Sequence, residues 1–126
     1  MKALITGSNG FIGKNIKLYL KSKNIYFYEF NRKDSYKKLQ KYIENSDVIF
    51  HLAGENRSNN KKNFEENNFK LTRILVEKII SSKKKPSIIF SSTTKINEKN
   101  NYGMTKKKCE KIIIDKLKKS KINYSI

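Results

Sequence analysis

The sequence predicts an α/β fold built on a parallel sheet. Short, continuously apolar runs alternate along the chain with stretches whose apolar residues recur every three to four positions. Strands lacking the in–out alternation of a half-exposed sheet are those buried on both faces, and helices between them form the covering layers. Three glycines, Gly7, Gly10 and Gly13, follow the first apolar run at intervals of three, where a strand hands over to a helix.

The first run, Lys2 to Thr6 ("KALIT"), reads as a buried strand. Ile12, Ile16, Tyr19 and Leu20 then form the apolar stripe of a helix. Ile25 to Phe30 ("IYFYEF") is a second strand, followed by a helix with Tyr36, Leu39 and Ile43 on one side. Asp47 to Ala53 ("DVIFHLA") is a third strand, and the polar stretch Gly54 to Asn63 reads as a loop. Leu71, Ile74, Leu75 and Ile79 mark a long helix that stops before Pro86. Ser87 to Ser92 is the fourth strand; Cys109, Ile112, Ile113 and Leu117 mark the last helix, and Ile122 to Ile126 starts a fifth strand. No internal repeat or low-complexity linker interrupts this order. A parallel strand beginning five residues from the end leads us to expect the front part of a longer protein.

The 126 residues allow one small domain, and the formal net charge is +18. Such a charge attracts phosphates at long range. Yet the lysines are spread over every expected helix, and no RNP, helix-turn-helix or zinc pattern accompanies them. A lysine-covered solvent face is the simpler reading, so a nucleic-acid partner is not expected. Cys109 is the single cysteine, which excludes an internal disulfide and a CxxC metal site; its place on an apolar helix face makes it a small buried hydrophobe. Neither a signal peptide nor an apolar run long enough for a membrane span is visible. A reducing, cytoplasmic setting is expected, with no membrane partner and no metal.

The glycine spacing G-x-x-G-x-x-G, between strand and helix, is a variant of the dinucleotide fingerprint. Gly7 permits the tight turn, Gly10 lets the backbone approach a pyrophosphate, and Gly13 lets helix and strand pack closely. The anion then meets unpaired N–H groups at the positive end of the helix. The second strand ends in "EFNRK": Asn31 stands at the tip, Arg32 follows, and Glu29 lies two residues inside. A carboxylate at the tip suits the ribose 2′-hydroxyl of NAD, and an arginine suits the 2′-phosphate of NADP. The expectation is NADP(H) in preference to NAD(H).

Tyr102 and Lys106 are four apart and share a helix face. A phenol works as a general acid or base near neutral pH when a neighbouring cation favours the phenolate. Tyr19 and Lys23 have the same spacing, but Tyr19 falls on the apolar stripe of the first helix and reads as core. Tyr102 instead opens a helix just after a strand ending in hydroxyl residues, at the carboxyl edge where open α/β sheets bind ligands.

Taken in order, "TGSNGFIGKN", "DVIFHLAG", "FSSTT" and "YGMTK" resemble the extended short-chain dehydrogenase/reductases, the NAD-dependent epimerase/dehydratase family of nucleotide sugars. The segment "HLAGENR" and the short gap from Thr93 to Tyr102 look most like the reductase part of bifunctional capsular-polysaccharide enzymes. The resemblance implies a Rossmann-like sheet in the order 2-1-3-4-5, incomplete at its C-terminal side over residues 1–126. It implies Thr93 as the substrate-holding hydroxyl, where serine is commoner, Tyr102 as proton donor, and Lys106 as the residue that holds the nicotinamide ribose. It also implies that Asn9, Phe11 and Ile12 join the three glycines around the cofactor, with Asn31, Arg32, Leu52, Ala53 and Gly54 along the same groove. Asn56 and Arg57 match a subfamily loop that contacts either the cofactor or the sugar diphosphate, or is simply solvated. Asn68 falls where the family often has a helix asparagine, and His51 reads as a packed, hydrogen-bonded residue.

The chain departs from the family pattern by lacking its usual third strand and helix, as the capsular enzymes also do. The implied reaction is NADPH-dependent reduction of a UDP-linked 4-keto deoxysugar, by a chain that acts as a homodimer or with a completing partner chain. An epimerase or 4,6-dehydratase is the alternative enzyme, although "STTKINEKNNY" offers only Glu98 as an acidic residue. A non-catalytic module that binds a dinucleotide or, through its lysines, nucleic acid is the alternative of another class.

Overall fold

The computed structural model describes residues 1–55 and 60–126; Asn56 and Arg57 lie outside the described residues. Five parallel strands form one sheet in the order β2-β1-β3-β4-β5. They are β1 (Lys2–Thr6), β2 (Tyr26–Phe30), β3 (Val48–His51), β4 (Ser87–Phe90) and β5 (Tyr124–Ser125). The helices are α1 (Phe11–Ser22), α2 (Tyr36–Glu44), α3 (Lys61–Phe64), α4 (Leu71–Ser81) and α5 (Asn101–Lys119). A π-helical turn, Glu65–Lys70, joins α3 to α4, and a 3₁₀ turn, Thr94–Asn97, precedes α5. No helix among the described residues is long and apolar enough to cross a membrane.

The two faces of the sheet carry separate cores. Leu4, Ile49, Ile88 and Phe90 point to one side and pack with α2, α4 and α5 through Leu39, Ile43, Leu75, Ile79, Ile113 and Leu117. Ala3 and Ile5 point to the other side, with Leu20 of α1 and the partly buried Ile16, Phe27, Val48 and Phe50. Ile89 lies on this second face beside Phe50's strand and remains 40% exposed. Cys109 is buried in the first core.

Two local expectations are corrected. Tyr19 and Ile12 lie outside the core: both are exposed, at 61% and 51%. Gly13, which is buried, brings the helix down on the loop behind β1. The buried meridian of α1 therefore runs through Gly13, Ile16 and Leu20, and positions 12 and 19 fall about 100° to one side. The loop expected over Gly54 to Asn63 gives way to helix at Lys61. Asn60 accepts the N–H of Lys62 at 2.9 Å, as an asparagine ahead of a helix does, and buried Phe64 anchors the turn. Elsewhere strand ends differ by a few residues, and Tyr36 of α2 is largely exposed.

Apart from buried Lys106, the lysines behave as a solvated coat. Lys38–Asp34 (2.6 Å), Lys70–Glu66 (3.0 Å) and Lys111–Asp115 (2.9 Å) are helical-spacing ion pairs on exposed faces, which help solubility more than stability.

Two glycines set the junction of β1 and α1. Gly7 has φ +73°, and a Cβ there would lie 2.7 Å from the Ala53 backbone; a Cβ on Gly13 would lie 2.4 Å from the Gly7 carbonyl oxygen. Replacing Gly13 by alanine is expected to cost about 2–3 kcal/mol in chemical unfolding, because backbone must move. Gly10→Ala should cost less than about 1 kcal/mol, since its Cβ would meet only the Gly7 carbonyl oxygen, at 3.4 Å.

Candidate functional site

Parallel connections bring the starts of α1 and α5 and the tips of β1, β2 and β3 to the carboxyl edge of the sheet. An open cleft of about 1170 Å³ runs along that edge. Its lining includes Gly7, Asn9, Gly10, Asn31, Arg32, Leu52, Ala53 and Gly54, eight of the positions singled out from sequence. Gly13 lies beneath the loop, while Phe11 is highly exposed at the start of α1.

The glycine loop has the form of an anion cradle. No side chain caps α1 at Gly10, whereas Ser35 caps α2 through Lys38 N–H and Asn100 caps α5 through Gly103 N–H. The first-turn N–H groups of α1 thus lack a capping side chain, at the positive end of the helix dipole. Gly10 leaves room above them: beyond its adjoining residues, only the Gly7 oxygen lies within 4 Å of its would-be Cβ. These features fit a phosphate group.

The strand tips carry several held charges. Ser8 hydroxyl donates to Asn31 Oδ1 at 3.0 Å, and Asn31 N–H to Asp34 at 2.8 Å. Glu29 is held below its ordinary pKa by the Ser8 hydroxyl and by Lys17 at 2.9 Å. Arg32 faces Glu55 at 3.5 Å.

Behind the cleft, Lys106 is buried. Its Nζ donates to the Ser91 carbonyl at 2.6 Å and stands 4.6 Å from the centre of the Phe90 ring. Burial pushes its pKa down, with Cys109 and Glu110 opposing the shift. A Cβ on Gly54 would lie 3.3 Å from this nitrogen, so the cleft and Lys106 meet across Gly54. The Tyr102 ring centre is 5.9 Å from Lys106 Nζ and 6.4 Å from the Phe64 ring centre. Thr93 hydroxyl accepts Lys95 N–H at 3.1 Å, which leaves its hydrogen to donate. Ser92 hydroxyl donates to Glu110 on α5. Thr93 therefore keeps an uncommitted hydroxyl hydrogen in this arrangement, whereas Ser92 does not. Tyr19, the spacing control, sits near the far end of α1 with Lys23 5.9 Å from its ring centre.

A buried polar relay ties these parts together. Thr72 hydroxyl donates to the Asn68 carbonyl at 2.7 Å, so towards His51 Nε2, 2.8 Å away, its oxygen accepts. His51 therefore carries its proton on Nε2, and its Nδ1 accepts from Thr6 hydroxyl at 2.7 Å. Thr6 oxygen in turn accepts Ala53 N–H at 3.2 Å. Asn68, buried in the π-helical turn, binds Glu55 through both backbone groups, N–H to Oδ1 at 2.6 Å and Nδ2 to the carbonyl at 3.0 Å. Burial and the Lys106 charge lower the His51 pKa to about 3.

Sequence reasoning gave no role to Gly103, yet a Cβ there would lie 2.2 Å from the Lys95 carbonyl oxygen. Gly103 lets the 3₁₀ turn press against the first turn of α5, beside Tyr102. Its signal was available: only five glycines occur in the chain. The Ser91 carbonyl that holds Lys106 left no signal, because any residue supplies it.

Comparisons with known proteins identify the family and the fold. The model of the NAD dependent epimerase/dehydratase family matches residues 3–117. Over 94 residues the chain is 36% identical to UDP-2-acetamido-2,6-beta-L-arabino-hexul-4-ose reductase of Pseudomonas aeruginosa, covering 74% of this chain and 25% of that protein. The capsular polysaccharide assembling protein CapF from Staphylococcus aureus superposes with a TM-score of 0.83 at 30% identity, over 98% of this chain and 34% of that one. UDP-glucuronic acid 4-epimerase from Bacillus cereus, in complex with NAD, gives a TM-score of 0.83 at 22% identity over 98% of this chain and 55% of that one, a likeness of fold. The chain thus spans a quarter to a third of the length of the first two relatives.

His51 is the sole histidine, so its titration can be read in isolation. It should remain neutral in the folded state from pH 8 down to pH 5, with the Nε2-protonated pattern in ¹⁵N NMR. Because the folded pKa lies below the unfolded one, the unfolded chain gains the proton first as pH falls. Unfolding free energy should be greatest above pH 6.5 and fall between pH 6.5 and 5, approaching about 1.4 kcal/mol per pH unit at the lower end. A flat profile there would contradict the buried neutral assignment.

Proposed function

The chain belongs to the NAD dependent epimerase/dehydratase family, and from that premise we propose that it is the dinucleotide-binding part of a nucleotide-sugar oxidoreductase that reduces a UDP-linked 4-keto deoxysugar. One observation carries the reading: a continuous line of close contacts along the carboxyl edge, from Gly7 against Ala53 to Gly54 against Lys106. It joins an anion cradle to a buried ammonium beside a tyrosine. The choice of ketone reduction over epimerisation is supported by the 36% identity to a hexul-4-ose reductase.

In this reading, α1 and the glycine loop bind the pyrophosphate, and Arg32, which lines the cleft, takes the 2′-phosphate of NADP(H). Asn31 in place of a strand-tip carboxylate supports that preference. When bound, the dinucleotide supplies the hydride that reduces the ketone carbon. Tyr102 donates its phenolic proton to the ketone oxygen as negative charge develops there, and Thr93 hydroxyl donates a hydrogen bond to the same oxygen. Lys106, held by the Ser91 carbonyl, holds the nicotinamide ribose and supplies positive charge beside the phenol. Most of the sugar-nucleotide pocket belongs to sequence beyond these residues, a reading supported by the quarter of the reductase that the chain spans.

Titration of the protein with NADPH, followed by nucleotide fluorescence, tests the cofactor site. Saturable binding is expected, and Gly10→Val should weaken it at least about tenfold by filling the cradle, since 1.4 kcal/mol of lost contact is already that factor. Salt-sensitive binding to random-sequence DNA without NADPH binding would favour the nucleic-acid alternative.

Tyr102→Phe separates chemistry from binding. NADPH affinity should stay within about twofold, while reduction of a UDP-linked 4-keto deoxysugar by protein carrying this site falls by about a hundredfold or more. Tyr19→Phe should leave the rate unchanged.

A further inference from the structure

At the mouth of the cleft, an ion pair joins the tips of β2 and β3. Arg32 Nη2 stands 3.5 Å from Glu55 Oε2, with the arginine side chain 76% exposed and the glutamate 25% exposed. Other carboxylates on this rim have lysines close by: Glu29 meets Lys17 at 2.9 Å and Asp34 meets Lys38 at 2.6 Å. Glu55 is also held differently. Asn68 clamps its backbone on both sides, N–H at 2.6 Å and carbonyl at 3.0 Å. The backbone from which its carboxylate extends is thus held by Asn68, independently of Arg32. An exposed pair at this distance contributes little to stability, but a carboxylate carried on this anchored backbone still projects its charge over the rim.

We propose that Glu55 is a specificity-determining residue for the adenosine end of the dinucleotide, a fixed negative charge that weakens recognition of a 2′-phosphate by Arg32. The inference rests on the cofactor reading above and deepens it. A 2′-phosphate that reaches the Arg32 guanidinium brings nearly two negative charges beside the Glu55 carboxylate. A 2′-hydroxyl meets no such repulsion and can donate to a carboxylate. At a separation of about 6 Å in water-like surroundings, partly screened by salt, this repulsion weakens phosphate binding on the order of fivefold. Glu55 thereby narrows the preference for NADPH that Arg32 creates.

Calorimetric titration of the chain with NADPH and with NADH tests this, using the unmutated protein, Glu55→Gln, Arg32→Ala and the double variant. Because the Asn68 clamp uses only the Glu55 backbone, Glu55→Gln should keep the unfolding midpoint, and Glu55→Ala serves as a second variant. Glu55→Gln should raise NADPH affinity about fivefold and leave NADH affinity within about twofold. The gain should shrink in the Arg32→Ala background, where the phosphate is no longer drawn towards Glu55, and at 0.5 M salt. If both dinucleotides bind and their affinity ratio is unchanged in Glu55→Gln, the role given to Glu55 is wrong while the cofactor reading stands. If the unmutated chain binds neither, the cofactor reading fails and this inference fails with it.

Discussion

The tips of β1 and β3 approach so closely that the residue facing Ala53 must lack a side chain. Gly7 meets that need, and its positive φ turns the chain at once towards α1. Any Cβ at Gly7 would push the two strands apart or flatten the turn. Gly13 repeats the constraint one turn into the helix by seating α1 on the loop itself. From these approaches follow the direction of α1, the uncapped first turn and the mouth of the cleft. They also explain why Phe11 and Ile12 remain outside the core: the contact at Gly13 decides which side of α1 faces inwards.

The same edge is held by polar groups that would be expensive to bury unpaired. Thr6, His51 and Thr72 form a chain in which every donor has an acceptor, running from the tip of β1 to the Asn68 carbonyl. No buried side-chain nitrogen or oxygen among the described residues lacks a partner. Such a network fixes geometry because each member has a single satisfying orientation. Its neutral histidine lies close enough to the Lys106 ammonium for that charge to oppose protonation. Lys106 itself is kept by a carbonyl and an aromatic face in place of a carboxylate. A carboxylate would neutralise the ammonium, whereas a carbonyl leaves its positive charge uncompensated beside the Tyr102 ring.

The π-helical turn belongs to this arrangement. It carries buried Asn68, whose side chain takes the place of a strand partner for Glu55, just beyond the end of β3. The loop after β3 is thereby held along the cleft by a helix residue, and Gly54 is brought against Lys106. An extra residue in a helical turn is a common device where a side chain must be aimed.

Order and type of the elements were legible from sequence because apolar periodicity reports burial directly: continuous runs at Leu4, Ile49 and Ile88, and helical stripes through Leu75, Ile79, Ile113 and Leu117. The glycine spacing marked the cradle, since turns and close approaches are what glycine alone permits. The chain order of "HLAG", "SSTT" and "YGMTK" indicated the residues of the candidate site before any coordinates. What sequence could not decide was anything set by contact between distant segments. Periodicity put Tyr19 and Ile12 on the buried stripe, and only the seating of Gly13 on the Gly7–Ser8 backbone turned them outwards. Lys106 is held by the Ser91 carbonyl, and Asn68 holds Glu55 by its main chain; backbone groups are possessed by every residue, and no sequence pattern reveals which are used. Local spacing determines which face of an element is apolar; where two elements touch, and hence which charge meets which, is decided by the packed tertiary structure.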